Sequence, residues 1–445
     1  MKAFRKIGVL ILLGMACVAW VKAGETNARE ALSSSNSVSL AKTEIVKGVQ
    51  PIVIPDNSLG IINVKDFRSF DHAAICAQGD GKTDDTVAIQ AAAEIARKQT
   101  VGFQPEGGSW LGSSPLLYFP AGHYVISDEI RLGGFANIAS DAMAIIEQRG
   151  VGKKIFVFHD GFTIGIRGIR FLKGSNQIYV DNKNINGTMI NIDQCEFQLS
   201  SDYAVYTHGT GKEDDYHMSA NVMITKCKFM RCRKVLRNVC DYAILRDSWV
   251  QIEWQNFDKN SAAFLNICDE PGCPVLMFDN VIGVPVFGSR GPKGDNLENG
   301  GIDNVRWVDN YGSFLAYKSR FGGEFGGIPI VHHFGIPNAG YPKFGQTVSF
   351  QMCWISPGPD ARKDSAVITL RKGVPQLVYI VGNSYMIGRP YILNGGLDLA
   401  AFLQRYPDAK KRFKIVLGPN DTHPASPSVP EELEPFIVDT VSYVP

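Results

Sequence analysis

A six-residue pattern recurs along the chain: apolar, any, any, Cys or Ser, any, apolar. It runs Ile192-Asp193-Gln194-Cys195-Glu196-Phe197, then from Ile224 to Phe229, Leu245 to Val250, Phe350 to Ile355 and Val381 to Met386, with degenerate copies at 166–171 and 277–282. Side chains in a strand alternate between two faces. Here the alternation breaks once, at the third position, and resumes with the Cys or Ser turned inward. Each copy therefore predicts two short strands joined by a bend. The first copies recur at steps of 32 and then 21 residues, in the range of stacked supersecondary units. A further strand follows in several copies: Ala204-Val205-Tyr206, Val235-Leu236-Arg237 and Phe264-Leu265-Asn266. Their third residues predict one exposed column of Tyr206, Arg237 and Asn266. The pattern as a whole predicts an all-β solenoid of parallel strands, with loops at 207–220, 288–304 and 321–345 bulging from the coil. Loops on such a scaffold are where sites are usually built.

Outside the repeat, the segment Gly79-Asp80-Gly81-Lys82-Thr83-Asp84-Asp85-Thr86 leads into Ala88, Ile89, Ala92 and Ile95, which share one helical face. Thr83 or Asp84 is placed to cap that helix, with acids at its positive end. Leu117-Tyr118-Phe119 then reads as a strand before a Pro120-Ala121-Gly122 turn. The acidic run also suggests a calcium loop, but the twelfth position counted from Asp80 is Ala91, where an EF-hand needs a bidentate Glu. Near the other end, 397–406 predicts an amphipathic helix, read as part of a C-terminal cap over 397–445.

Together the Gly-Asp-Gly-Lys-Thr-Asp-Asp-Thr segment and the strand with its Pro-Ala-Gly turn resemble the N-terminal signature of the pectate-lyase-like superfamily, shared by polygalacturonases, polysaccharide lyases and phage tailspikes. The resemblance covers 61–127 by motif and the remainder by repeat. It implies a right-handed parallel β-helix over 61–396 with an N-terminal capping helix, in which this signature is architectural. The Asn-Thr-Asp, Asp-Asp, Gly-His-Gly and Arg-Ile-Lys series of polygalacturonases is absent beyond an isolated Asp214-Asp215, and the aspartate set of calcium-dependent pectate lyases is not matched.

Composition narrows the rest. Residues 1–23 pair a basic start with a short apolar run and Val21-Lys22-Ala23, as an export signal does, and the run is too short for a membrane span. Release to a secreted or periplasmic location follows, with lipid anchoring at Cys17 the alternative. Residues 24–60 are polar and read as a flexible leader. The net charge of +1 excludes a strongly basic nucleic-acid protein. A basic cluster from Lys226 to Arg246 would draw an acidic ligand if it shared one face, although a charge run is ordinarily a solvated surface. Cys195 and Cys227 read as small buried groups rather than catalytic thiols, Cys268 and Cys273 can close a tight loop, and no zinc spacing occurs.

Candidate chemistry gathers between Glu196 and Trp249. Elimination from a uronate needs a base beside the carboxylate-bearing carbon and cations for the developing charge. Tyr206, His208 or His217 can supply the first, and Arg237, Lys228 and Arg246 the second. Hydrolysis needs paired carboxylates, for which Asp214 and Asp215 are the local candidates. Trp249 offers a platform for a sugar ring, with Glu196 and Lys228 beside it. These features predict an enzyme acting on an acidic polysaccharide as lyase or hydrolase. A non-catalytic glycan-binding or adhesin-like β-helix and a uronate epimerase stand as alternatives. No cofactor is certain; calcium bridging substrate carboxylates stays open, as do monomer and trimer.

Overall fold

The computed structural model describes residues 60–67, 76–103, 111–181, 189–208, 221–239, 242–252, 264–267, 275–278, 280–283, 314–321, 332–334, 347–355, 368–370, 374, 377–381, 385–386, 392–394, 396–417 and 429–439. All lie in the compact unit Pro55–Pro445. The expected export signal, nearly all of the leader, and Cys268 and Cys273 lie outside the described residues.

The architecture is all-β and parallel β-helix-like. Almost every strand pairs in parallel with its counterpart one coil later, and the pairings resolve into ladders. In the first, Met189–Asp193 pairs with Asn221–Thr225 and that with Tyr242–Arg246. In the second, Glu196–Gln198 pairs with Lys228–Cys232 and that with Trp249–Ile252. The third runs through Phe156–His159, Ile178–Asp181, Tyr203–Thr207, Lys234–Val239 and Phe264–Ile267. A separate set, His332–Phe334, Ile368–Leu370 and Ile392–Asn394, stacks later in the chain.

The predicted break in alternation is the corner between the first and second ladders. Among the described residues the third residue of the copies takes a left-handed backbone, with φ 52° at Gln194, 52° at Lys226, 50° at Asp247 and 53° at Met352, as does Lys318 (46°) before Ser319 on another rung. A residue with a Cβ pays about 1–2 kcal/mol for that conformation, and the next residue provides the compensation. Cys195, Cys227, Ser248, Asn280, Ser319 and Cys353 are all buried and directed inward. Along the column, Cys195 N donates to Cys227 Sγ (3.4 Å), Cys227 N to Ser248 Oγ (3.1 Å), Ser248 N to Asn280 Oδ1 (2.9 Å) and Asn280 N to Ser319 Oγ (3.3 Å). The Cys and Ser side chains donate back to the carbonyl two residues earlier, as in Cys227 Sγ to Thr225 O (3.2 Å) and Ser248 Oγ to Arg246 O (2.8 Å), whereas Asn280 Nδ2 donates to Leu245 O (2.8 Å). The corner thus needs a small side chain that both donates and accepts, which explains Cys or Ser in the repeat. One coil earlier the corner is Gly168, at φ 69°, where a Cβ would stand 2.1 Å from Ser140 O.

Within the coil, apolar side chains stack rung on rung. Phe171 and Phe197 lie 5.1 Å apart at 18°, and Phe197 and Phe229 4.7 Å apart at 6°. All three are fully buried. Their apolar area supplies the main driving force for stacking, since a buried Phe contributes roughly 1.5–3 kcal/mol by transfer alone.

The N-terminal helix spans Thr86–Gln99 and buries Ala88, Ile89, Ala92, Ala93, Ile95 and Ala96. Its start differs from the expected cap. Asp85 is the N-cap and makes no side-chain capping bond; its buried carboxylate instead accepts from Gln78 N (2.6 Å) and Gly79 N (3.0 Å). Asp84 accepts from Thr86 N (3.0 Å), while Thr83 donates to Asp80 (2.9 Å). The acids tie the loop to itself and to Ser127, whose hydroxyl donates to Asp84. At the other end the expected helix occurs as Leu399–Arg405, begun by Asp398 accepting from Ala401 N at 2.9 Å, and a second helix covers Pro407–Arg412. Strands do not stop at residue 396: Lys414–Leu417 and Ile437–Asp439 extend the first ladder. No helix among the described residues is long and apolar enough to cross a membrane.

Candidate active site on the third ladder

Strand alternation sets this site. Ile178 and Val180 face the core while Tyr179 does not, and Val205 and Thr207 are buried while Tyr206 is half-buried. Parallel register then places Tyr179 beside Tyr206 and Tyr206 beside Arg237. The two phenol rings stack with centroids 5.0 Å apart at 13°. Each carries a cation: Lys154 Nζ lies 4.5 Å from the Tyr179 centroid, and the Arg237 guanidinium 4.6 Å from that of Tyr206. Arg237 Nη1 also donates to Thr207 O at 2.6 Å, which fixes the guanidinium along the strand.

His208 ends the strand as an exposed residue, its backbone N donating to Val180 O at 2.7 Å. Its Nδ1 lies 3.3 Å from Tyr179 Oη, with the donor set by the tautomer. His159 Nδ1 is 3.6 Å from Asp181 Oδ2 on the neighbouring rung. Burial, with the Asp181 and Tyr206 charges adding, pushes the Tyr179 phenol up to about 12, so it stays protonated at neutral pH. The arrangement offers an imidazole to take or give a proton, phenols to share one, and a guanidinium for an anion.

Of the expected group Tyr206, His208 and Arg237, Tyr206 and Arg237 are neighbours in register, while His208 meets Tyr179. The remaining members are distributed differently. Asn266 does not extend the column: Leu265 is in register with Arg237, and Asn266 pairs with Asn238. Asn238 is fully buried, and Thr207 Oγ1 donates to its Oδ1 at 3.1 Å, so this is an inward polar row. Glu196, Lys228 and Trp249 sit in one outward row of the second ladder. Arg246 is on the first ladder and pairs with Asp247 at 3.2 Å. Lys234 is held by Asp202 at 2.7 Å. The basic cluster therefore does not share one face, because the coil turns a corner between its members. Asp214, Asp215 and His217 lie outside the described residues.

Tyr179 and Lys154 were missed. Ile178-Tyr179-Val180 shows the same apolar-polar alternation as Val205-Tyr206-Thr207, but it precedes the clear copies of the repeat and carries no Cys or Ser signal. The thiols named as structural remain so: no disulfide forms among Cys76, Cys195, Cys227, Cys232 and Cys353, and burial pushes the Cys227 thiol well up. Among the described residues no group of three or more His, Cys, Asp or Glu is gathered around a metal position.

A sequence-family model described as rhamnogalacturonase A/epimerase, pectate lyase-like, matches residues 61–245. This span includes the corner repeats Cys195 and Cys227 and the Tyr179, Tyr206 and Arg237 row. Alginate lyase 7 of Azotobacter vinelandii is 32% identical over 160 residues, which is 34% of this chain and 15% of that protein. The chain thus matches only a small part of that relative's length. No solved structure matches the chain significantly. Residues 61–245, with their motif, corner repeats and parallel ladders, are similar to this pectate-lyase-like family.

Proposed function

We propose that this chain is an exported enzyme that degrades an acidic polysaccharide by removing the proton beside a uronate carboxylate. The observation that carries this reading is the row Tyr179, Tyr206 and Arg237 with His208 against Tyr179. In the proposed reaction His208 takes the proton from C5. The C–H electron pair forms the C4–C5 double bond, and the C4–O bond breaks. The Tyr206 phenol gives a proton to the departing oxygen, and Arg237 stabilises the negative charge that builds on the carboxylate. The lyase name borne by the partial relative supports this choice over hydrolysis. Asp214 and Asp215 are the pair a hydrolase would use.

An epimerase is the second reading, favoured by the description of the matching family. It begins with the same abstraction and returns the proton to the other face of C5, leaving the C4–O bond intact. In this proposal residues 1–23 direct export, 24–60 form a leader, and 61–396 form a right-handed β-helix. The helix Thr86–Gln99 covers its first coil, and the strands Lys414–Leu417 and Ile437–Asp439 carry the first ladder on past the helices Leu399–Arg405 and Pro407–Arg412.

The test is incubation of residues 24–445 with polygalacturonate, alginate and neutral polysaccharides, with and without calcium. Unsaturated uronates and reducing ends are followed together. A rise in both on a polyuronate supports elimination, and reducing ends alone would move the chemistry to Asp214 and Asp215. Silence on both, without C5 proton exchange, would leave a glycan-binding protein.

A further inference from the structure

The outward row of the second ladder carries chemistry that the third-ladder site does not use. At its start Arg170 and Glu196 neutralise one another at 2.8 Å. Lys228 follows in register with Glu196, and Trp249 in register with Lys228. Lys228 pairs with no carboxylate among the described residues; its ammonium lies 5.4 Å from the centroid of the Trp249 ring. Trp249 is 45% exposed, whereas its neighbour Val250 is fully buried. The register positions that follow are Val281, Arg320, Trp354 and Tyr385. Rungs are spaced about 4.8 Å, so Trp249 and Trp354, three rungs apart, are separated by about 14 Å.

An exposed indole with a cation beside it fits a uronate. The apolar C–H face of the sugar covers the ring, and the carboxylate meets the ammonium. A polymer strand lying along the row would meet Lys228 and then Trp249. The surplus of cations over carboxylates beyond Glu196 selects an anionic polymer over a neutral one.

We propose that this row is a second polysaccharide-binding surface, for a polyuronate strand, separate from the third-ladder site and holding the polymer without reacting with it. The test is electrophoresis of the folded protein through gels containing polygalacturonate, alginate or neutral dextran. The wild type is expected to be slowed by a polyuronate and not by dextran. Trp249→Ala and Lys228→Ala should each weaken retardation several-fold, with Trp249→Phe intermediate and circular dichroism unchanged. Added salt should weaken it as well. Arg237→Ala should leave it in place, which separates this surface from the proposed catalytic one; retardation without turnover would sink the enzyme reading and keep this one. Equal retardation of Trp249→Ala and wild type, no retardation of the wild type, or equal slowing in dextran would overturn it. So would a loss of oligomer mass in Trp249→Ala without any effect on retardation, which would make the row a contact between copies.

Discussion

The inward corner column, Cys195 to Ser319, and the outward row Tyr179, Tyr206 and Arg237 are built by the same device, the in-register stacking of parallel rungs. In the corner column each backbone N from Cys195 to Asn280 donates to the small side chain of the next rung, and the Cys and Ser side chains donate back to a carbonyl of their own rung. In the outward row the partners are softer: stacked rings, cations over their faces, and one imidazole contact at 3.3 Å. Stacking that closes hydrogen bonds inside the coil stabilises the fold. Stacking that leaves an imidazole exposed at the end of a row gives the surface a group able to exchange protons.

The comparison breaks most sharply at His208. Its replacement by Ala should lower turnover of a polyuronate by about 10²–10⁴-fold, the usual contribution of a positioned acid or base. The urea midpoint should not move, because the side chain is exposed. Removing the interior ring has the reverse profile: Phe197→Ala should lower stability by about 3–5 kcal/mol in urea unfolding, from lost burial and a cavity between Phe171 and Phe229. Asn280→Leu tests the corner column directly. It removes the acceptor for Ser248 N and the donor to Leu245 O, and each buried group left unpaired costs about 1–3 kcal/mol. An Asn280→Leu variant as stable as wild type would mean that the column is packing alone.

The corner column was legible in the sequence because its position is fixed by a local rule. A left-handed corner followed by a small polar residue recurs in sequence order, so Cys195, Cys227 and Ser248 announce it. The outward row is less legible, because what joins Tyr179 to Tyr206 and Arg237 is register across coils of unequal length. A one-residue error there put Asn266 at the register position that Leu265 holds. The basic run from Lys226 to Arg246 misled for a related reason: adjacency in sequence crosses two corners and distributes neighbours over three ladders. At the helix start Thr83 is turned onto Asp80 and Asp85 onto Gln78 and Gly79, while Asp84 accepts from the first-turn amide of Thr86.

Two smaller effects sharpen the contrast. Tyr179→Phe keeps the ring stack and removes only the hydroxyl facing His208. For His208 to act as base through Nε2, its proton must sit on Nδ1 and be donated to Tyr179 Oη. We expect nitrogen NMR to show the Nδ1–H form in wild type and a shift toward the Nε2–H form in Tyr179→Phe, with kcat falling more than KM rises. The smallest effect concerns Glu147, which lies within reach of His123 (2.9 Å), Arg149 (3.2 Å) and Lys173 (2.7 Å). Burial alone would raise its carboxyl, but hydrogen bonds from Lys173 and Arg149 outweigh burial and hold it at about 2, below its ordinary 4.5. A depressed folded value means that its stabilisation is complete above about pH 5 and is lost as pH falls from 4.5 toward 2. Lys173→Met should flatten the acid limb of urea stability between those values and leave neutral pH little changed.

The central claim is that the third-ladder row abstracts the proton beside a uronate carboxylate. The most direct measurement is incubation of wild type, His208→Ala and Arg237→Ala with polyuronates in deuterated water, recording deuterium at C5 and unsaturated chain ends. The account predicts unsaturated ends or C5 deuterium from the wild type, and loss of both in the two variants while each remains folded. Undiminished product from either variant, or neither signal from folded wild type on any polyuronate, would contradict it.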